Sequence, residues 1–155
     1  MKNFLTMALA VCLGFAVLAG PVMAAGTSDG SSTKAAPAAA VTYDQAKATV
    51  DAGNYTKALP MLVALTKADA KNADAWNLLG FTYRNLGQMD ASSKAYLVVL
   101  KINPNHLGAL EYQGELFIQT GQLDKAKANL AKLQGLCGNC EQYADLSKVL
   151  TAAGA

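Results

Sequence analysis

The chain has 155 residues, 13 lysines and arginines against 11 acidic side chains, a formal net charge of +2, and a hydrophobic fraction of 52%. That length holds a single domain with a continuous core. A near-neutral balance with no basic block gives nucleic acid no electrostatic footprint.

Met1 and Lys2 make a short positive start, Phe4 through Val22 is a nearly unbroken apolar run, and Val22-Met23-Ala24 supplies the residues a signal peptidase reads. This pattern predicts a signal peptide over 1–24 with cleavage after Ala24 and an exported protein, periplasmic or secreted, with no stable membrane insertion after cleavage. An uncleaved anchor is the alternative, opposed by Gly20 and Pro21 just before the small residues. The valine before Cys12 is too bulky for a lipoprotein box, so lipidation is disfavoured. Residues 25–40, rich in alanine, serine and glycine, are expected to be a flexible leader.

From Val41 the apolar period becomes helical. The start and stop residues predict helices over 42–52, 55–68, 73–86, 89–102, 107–119, 123–134 and 140–152. Gly53, Gly87 and Gly121 stand 34 residues apart, each opening a matching phrase and each ending the first helix of a pair. Pro104 ends the second helix of the middle pair, because it lacks an amide donor and pushes Asn103 out of helical geometry. A 34-residue period of this kind describes an all-α stack of three helical hairpins over 39–72, 73–106 and 107–140, within a domain spanning 41–152. The helix at 140–152, with Tyr143, Leu146, Val149 and Leu150 on one face and Glu141, Gln142, Asp145 and Lys148 on the other, is expected to cap the stack.

Small residues recur where two helices would cross closely: Gly80 and Gly114 in first helices, Ala58, Ser92 and Ala126 in second helices. Trp76, Tyr83, Tyr96, Leu100, Phe117, Leu130 and Leu133 are expected to fill the space around those crossings.

The phrase Trp76-x-x-Leu79-Gly80-x-x-Tyr83, followed by Gly87, Tyr96 and Pro104, closely resembles the tetratricopeptide repeat (TPR), departing from it at Ser92 and Val99 where alanine is usual. The third repeat keeps Leu110, Gly114, Phe117, Gly121, Ala126, Leu130 and Leu133, but has Gln113 for leucine and Gly138 for proline. The first keeps Ala46, Gly53, Tyr55, Ala58, Leu62 and Leu65, departs at Thr42 and Thr49, and has Ala70 for proline. The resemblance implies a right-handed superhelix whose first helices line a concave face that binds a protein or peptide segment. Position by position, that groove would present Tyr43, Lys47, Val50, Asn77, Phe81, Arg84, Glu111, Tyr112, Glu115 and Ile118. Glu111 and Glu115 would repel an acidic tail, so an amphipathic or mixed-charge segment anchored on Tyr43, Phe81 and Tyr112 is expected.

Cys137-Gly138-Asn139-Cys140 is the one motif with redox potential. Export and the loss of Cys12 leave an even pair in an oxidising compartment, which favours a disulfide holding the last helix to the third repeat. A redox-active pair and a metal site remain as alternatives. Haem attachment is excluded because Glu141, not histidine, follows the second cysteine. A metal site within one chain has too few ligands, since only His106 joins the two thiols, and His106 is expected to be a solvated turn residue.

No phosphate loop, nucleophile elbow or paired-histidine motif is present, and no cofactor is expected. Glu111 and Glu115 lack a third group to mark a reactive centre and are expected at a solvated or ligand-facing surface. The resulting expectation is a non-catalytic, exported adaptor. A thiol-disulfide protein using its repeats to recruit substrate and a self-assembling structural protein stand as alternatives.

Overall fold

The computed structural model describes residues 41–154. The predicted signal segment 1–24, its cleavage site and the leader 25–40 lie outside the described residues. Seven helices follow in order: α1 Tyr43–Asp51, α2 Tyr55–Ala68, α3 Ala73–Asn85, α4 Met89–Ile102, α5 Leu107–Gln119, α6 Leu123–Cys137 and α7 Glu141–Ala152. The described residues contain no strand, and none of their helices is long and apolar enough to cross a membrane.

The helix ends have local causes. Thr42 starts α1 with a reciprocal cap, its Oγ1 accepting from the Gln45 amide at 3.2 Å while the Thr42 amide donates to Gln45 Oε1 at 3.0 Å. Asn72 Oδ1 accepts from the Ala75 amide to start α3, and His106 Nδ1 accepts from the Ala109 amide to start α5. At the other end, Gly53, Gly87 and Gly121 adopt φ of 73°, 74° and 73°. This left-handed turn lets Asn54, Gln88 and Gln122 donate back to the carbonyls of Thr49, Tyr83 and Phe117, closing each first helix in the same way.

The turns between repeats are less uniform. Asn103 is extended, as the following Pro104 demands, at φ −133° and ψ 96°. Asp69 takes nearly the same conformation before Ala70, φ −135° and ψ 94°, so the missing proline leaves that turn unchanged. After the third repeat Gly138 stands in place of proline, and α6 runs on to Cys137 instead of ending near 134. With no proline to stop it, the helix continues until Gly138 turns left-handed at φ 65°.

The two layers curve for a visible reason. The first helices α1, α3, α5 and α7 pack directly on one another, whereas α2, α4 and α6 reach the stack through the first helices rather than through each other. An inner layer packed more closely than the outer one bends the stack toward the inner face. The fold is thus the expected all-α superhelical repeat. Helix α7, packed on both α5 and α6, continues the inner layer as a fourth first helix without a partner. Its Leu146 and Leu150 are buried as the cap required.

The core runs as three linked clusters. Ala46, Val50, Ala58, Leu62 and Leu79 form the first, Tyr96, Val99, Ala109 and Leu116 the second, and Leu110, Leu133 and Leu146 the third. Ala58, Ser92 and Ala126 are fully buried at the crossings. Ser92 is compatible with this site because its hydroxyl donates to the Gly80 carbonyl at 2.8 Å, which satisfies the buried polar group and ties α4 to α3. A Cβ on Gly80 would lie 2.6 Å from Cε1 of the fully buried Tyr96. Gly114 makes its closest approach elsewhere, because a Cβ there would meet Leu146 of α7 at 2.5 Å.

Replacing Gly80 by leucine should lower stability by about 1 to 3 kcal/mol, overpacking against Tyr96 outweighing the roughly 1 kcal/mol gain in helix propensity. Circular dichroism melts measure this. The equivalent change at Gly114 should instead loosen residues 141–152 first, seen as faster hydrogen exchange in α7.

Candidate binding groove on the first helices

The 34-residue repeat lays the groove positions in rows. Tyr43, Asn77 and Glu111 form one row across α1, α3 and α5, and Lys47, Phe81 and Glu115 form a second one turn along. The initiating residues Asn72, His106 and Cys140 keep the same spacing, which places Asp145 of α7 in the first row beside Glu111. Asp145 is the row position that reading three hairpins and a cap overlooks. The signal was present in the spacing of the helix starts.

At the centre lies an aromatic and ionic cluster. The Phe81 ring is 4.9 Å from that of Tyr112 and 6.1 Å from that of Tyr55, centroid to centroid. The Arg84 guanidinium sits over both Phe81 and Tyr112, at 5.4 and 5.9 Å from their centroids. It also forms an ion pair with Glu115, linking α3 to α5, with side-chain exposures of 9% and 16%. A pair so withdrawn from water holds the two helices in one relative position, because breaking it would strand a charge.

Several expected groove residues lie elsewhere. Val50 is 4% exposed and belongs to the first core cluster, and Ile118 packs against the third. Both sit at the row where the inner helices meet, so their side chains fill the seam between repeats. Phe81 also packs against the first core cluster, so it has a structural role beside any at the surface. Tyr43, Asn77, Phe81, Arg84, Tyr112 and Glu115 remain partly accessible and Lys47 is exposed, its ammonium 2.7 Å from Asp51.

Glu111 was expected at a solvated or ligand-facing surface, but only 6% of it is exposed. Burial, reinforced by the charges of Glu115, Asp145 and Glu141 and only partly offset by Arg84, pushes its carboxyl up to about 8. The Tyr112 hydroxyl is pushed up to about 12, by burial first and then by the Glu111 charge. Three buried polar atoms on α3 and α4 have no hydrogen-bond partner: Asn77 Oδ1, Arg84 Nε and the Tyr96 hydroxyl. Burial raises the Tyr96 hydroxyl pKa, Arg84 opposing it, which keeps that group neutral.

His106 is not a solvated turn residue either. Its Nδ1 accepts from the Ala109 amide at 3.1 Å, so its ring proton sits on Nε2 and is directed at Asp74 Oδ1, 3.0 Å away. The ring thereby starts α5 and joins it to α3. The sulfurs of Cys137 and Cys140 lie at bonding distance across the turn between α6 and α7, with Cα atoms 5.6 Å apart. Among the described residues no group of three or more histidines, cysteines or carboxylates could hold a metal ion.

The Glu111 carboxyl holds its proton more tightly in the native chain, near 8, than at its ordinary value of 4.5. The stability it contributes is therefore whole below pH 4.5 and lost as pH rises through about 8. Urea unfolding at pH 5, 6.5 and 8 should show wild type losing on the order of 1 kcal/mol more than Glu111→Gln over that range, after allowing for solvent screening. Parallel slopes would contradict the assignment.

Residues 43–106 match the family described as tetratricopeptide repeat. A human protein, general transcription factor 3C polypeptide 3, is 36% identical over 84 residues, covering 54% of this chain, which spans only 10% of that protein's length. The Yersinia enterocolitica type III secretion translocator chaperone SycD superposes with a TM-score of 0.65 at 22% identity, over 72% of this chain and 80% of that one. PcrH in complex with the chaperone binding region of PopD gives 0.64 at 21% identity, over 72% and 87% of the two chains. The first TPR of Spaghetti (RPAP3), bound to the HSP90 peptide SRMEEVD, gives 0.64 at 17%, over 72% and 90%. At such identities these likenesses are of fold. The tetratricopeptide-repeat match over residues 43–106 and the helical geometry continued through α7 agree, and the chain has a tetratricopeptide-repeat fold.

Proposed function

We propose that this protein is an exported, non-catalytic adaptor that binds a segment of another protein along the inner faces of α1, α3, α5 and α7. The observation that carries the reading is the cluster of Phe81, Tyr112, Arg84 and Glu115. Two aromatic rings and a partly buried ion pair, held in place before any ligand arrives, reduce the ordering cost of binding and supply the kind of anchors that dominate interfaces. PcrH and the RPAP3 repeat, both solved with a bound segment or peptide on a related scaffold, support it. Export rests on the apolar run and the small residues ending at Ala24, and places the protein in the periplasm or outside the cell.

The test is to immobilise the purified protein, capture envelope or secreted proteins, and measure the affinity of a captured partner for wild type and for Phe81→Leu. Leucine keeps much of the volume but removes the ring beneath Arg84. Stability should change by about 1 kcal/mol, and binding should weaken by roughly 1 to 2 kcal/mol. An unchanged affinity would remove Phe81 from the interface.

Within this reading Cys137 and Cys140 form a structural bridge that holds α7 to the end of α6. A short loop gains little from loop closure, so the bridge acts on geometry more than on global stability. A redox role draws its support from Cys140, which starts α7, where the helix dipole favours a thiolate. Protein isolated from an oxidising compartment should show no free thiol, and the Cys137→Ser, Cys140→Ser double variant should fold with faster hydrogen exchange confined to residues 136–152. Ready exchange of the native pair with a dithiol substrate would favour the redox reading.

A further inference from the structure

We propose that the groove between α5 and α7 is a specificity pocket for a cationic side chain, lysine or arginine, of the bound segment, with the Glu111 carboxylate as its counter-charge. The proposal rests on the adaptor reading and names the chemistry its partner must carry.

Glu111 is more than nine-tenths buried, yet it has no ion-pair partner among the described residues. Arg84, the guanidinium that acts on it, is already bonded to Glu115. The enclosed polar atoms that lack partners are those of Asn77, Arg84 and Tyr96, not the oxygens of Glu111. Glu111 is therefore a buried carboxyl with no ion-pair partner among the described residues, at a position in the groove row of α5. The charges of Glu115 on α5 and of Asp145 and Glu141 on α7, the helix packed directly against α5, act on it, and the repeat spacing puts Asp145 in the same row as Glu111. Helix α6 meets this part of α5 through an uncharged contact, Asn129 donating to the Leu110 carbonyl at 3.0 Å and to Gln113 Oε1 at 3.1 Å.

A segment lying in this groove would complete the exclusion of water from Glu111. An acidic side chain there would add to the negative charge already acting on Glu111, and an apolar one would leave the carboxylate without a partner. A lysine or arginine would supply the missing charge and donors. A metal ion is a poor occupant, because the carboxyl groups of the two helices do not converge as ligands. The elevated pKa adds a signature: below about pH 8 Glu111 carries a proton that an arriving cation must expel, so binding should release it.

A random twelve-residue peptide display library panned at pH 7.5 against the full protein provides the probe. Recovered peptides should share a lysine or arginine position and should bind wild type about tenfold more tightly than Glu111→Gln, whose folding is checked by its melting curve. Alanine at the shared cation should cost a similar factor with wild type and little with Glu111→Gln, since the two changes remove one interaction. Calorimetry at pH 7 in two buffers of different ionisation heat should show release of up to about one proton by wild type and none by the variant. Binders that weaken with Phe81→Leu but show no coupling to Glu111 would overturn this pocket and leave the groove intact. Failure to recover any binder sensitive to Phe81→Leu or Glu111→Gln would overturn the groove itself.

Discussion

The contact between Gly80 and Tyr96 is the constraint on which the rest of the molecule depends. With no side chain at Gly80, the Tyr96 ring lies directly against α3, and the Ser92 hydroxyl closes the same crossing by bonding the Gly80 carbonyl. Fixing α3 against α4 there also fixes the rotation of α3 about its own axis. Phe81, the next residue, and Arg84, one turn on, are then aimed at the inner face where Tyr112 and Glu115 meet them. Packing in the core and geometry in the groove are thus consequences of one close approach, and a disturbance of the crossing would reach the candidate site before it reached the ends of the stack.

Charge along the groove is unevenly satisfied. In the middle, Arg84 and Glu115 neutralise each other under two aromatic rings, at a desolvation cost that the surrounding packing offsets. Toward α7 the balance shifts, because the charges of Asp145 and Glu141 add to that of Glu115 in opposing ionisation of Glu111, and Arg84 offsets them only in part. The added helix therefore does more than cover the apolar end of the third repeat. It completes a wall of the groove and gives it a sign.

Much of the fold was legible because it is governed by local rules that repeat. Gly53, Gly87 and Gly121 adopt the left-handed turn their spacing implied, and Pro104 ends α4 where a missing amide must. The end of α6 was less legible, since Gly138 permits a stop without forcing one. Side-chain burial at the inner face was read less well. A 34-residue period says which positions share a row but not how closely adjacent helices approach, and that approach buries Val50, packs Ile118 partly against the third cluster and withdraws Glu111 from water. The role of His106 as helix start and cross-repeat link depends on Asp74, 32 residues away in sequence, a pairing that no local pattern displays.

The claim at the centre of this account is that the inner faces of the first helices form the binding surface. Nuclear magnetic resonance of the isotope-labelled protein, titrated with a partner segment identified by capture, tests it most directly. The account predicts that amide shifts concentrate on α1, α3, α5 and α7, around Phe81, Glu111, Tyr112 and Asp145. Shifts confined to the outer helices α2, α4 and α6 would contradict it.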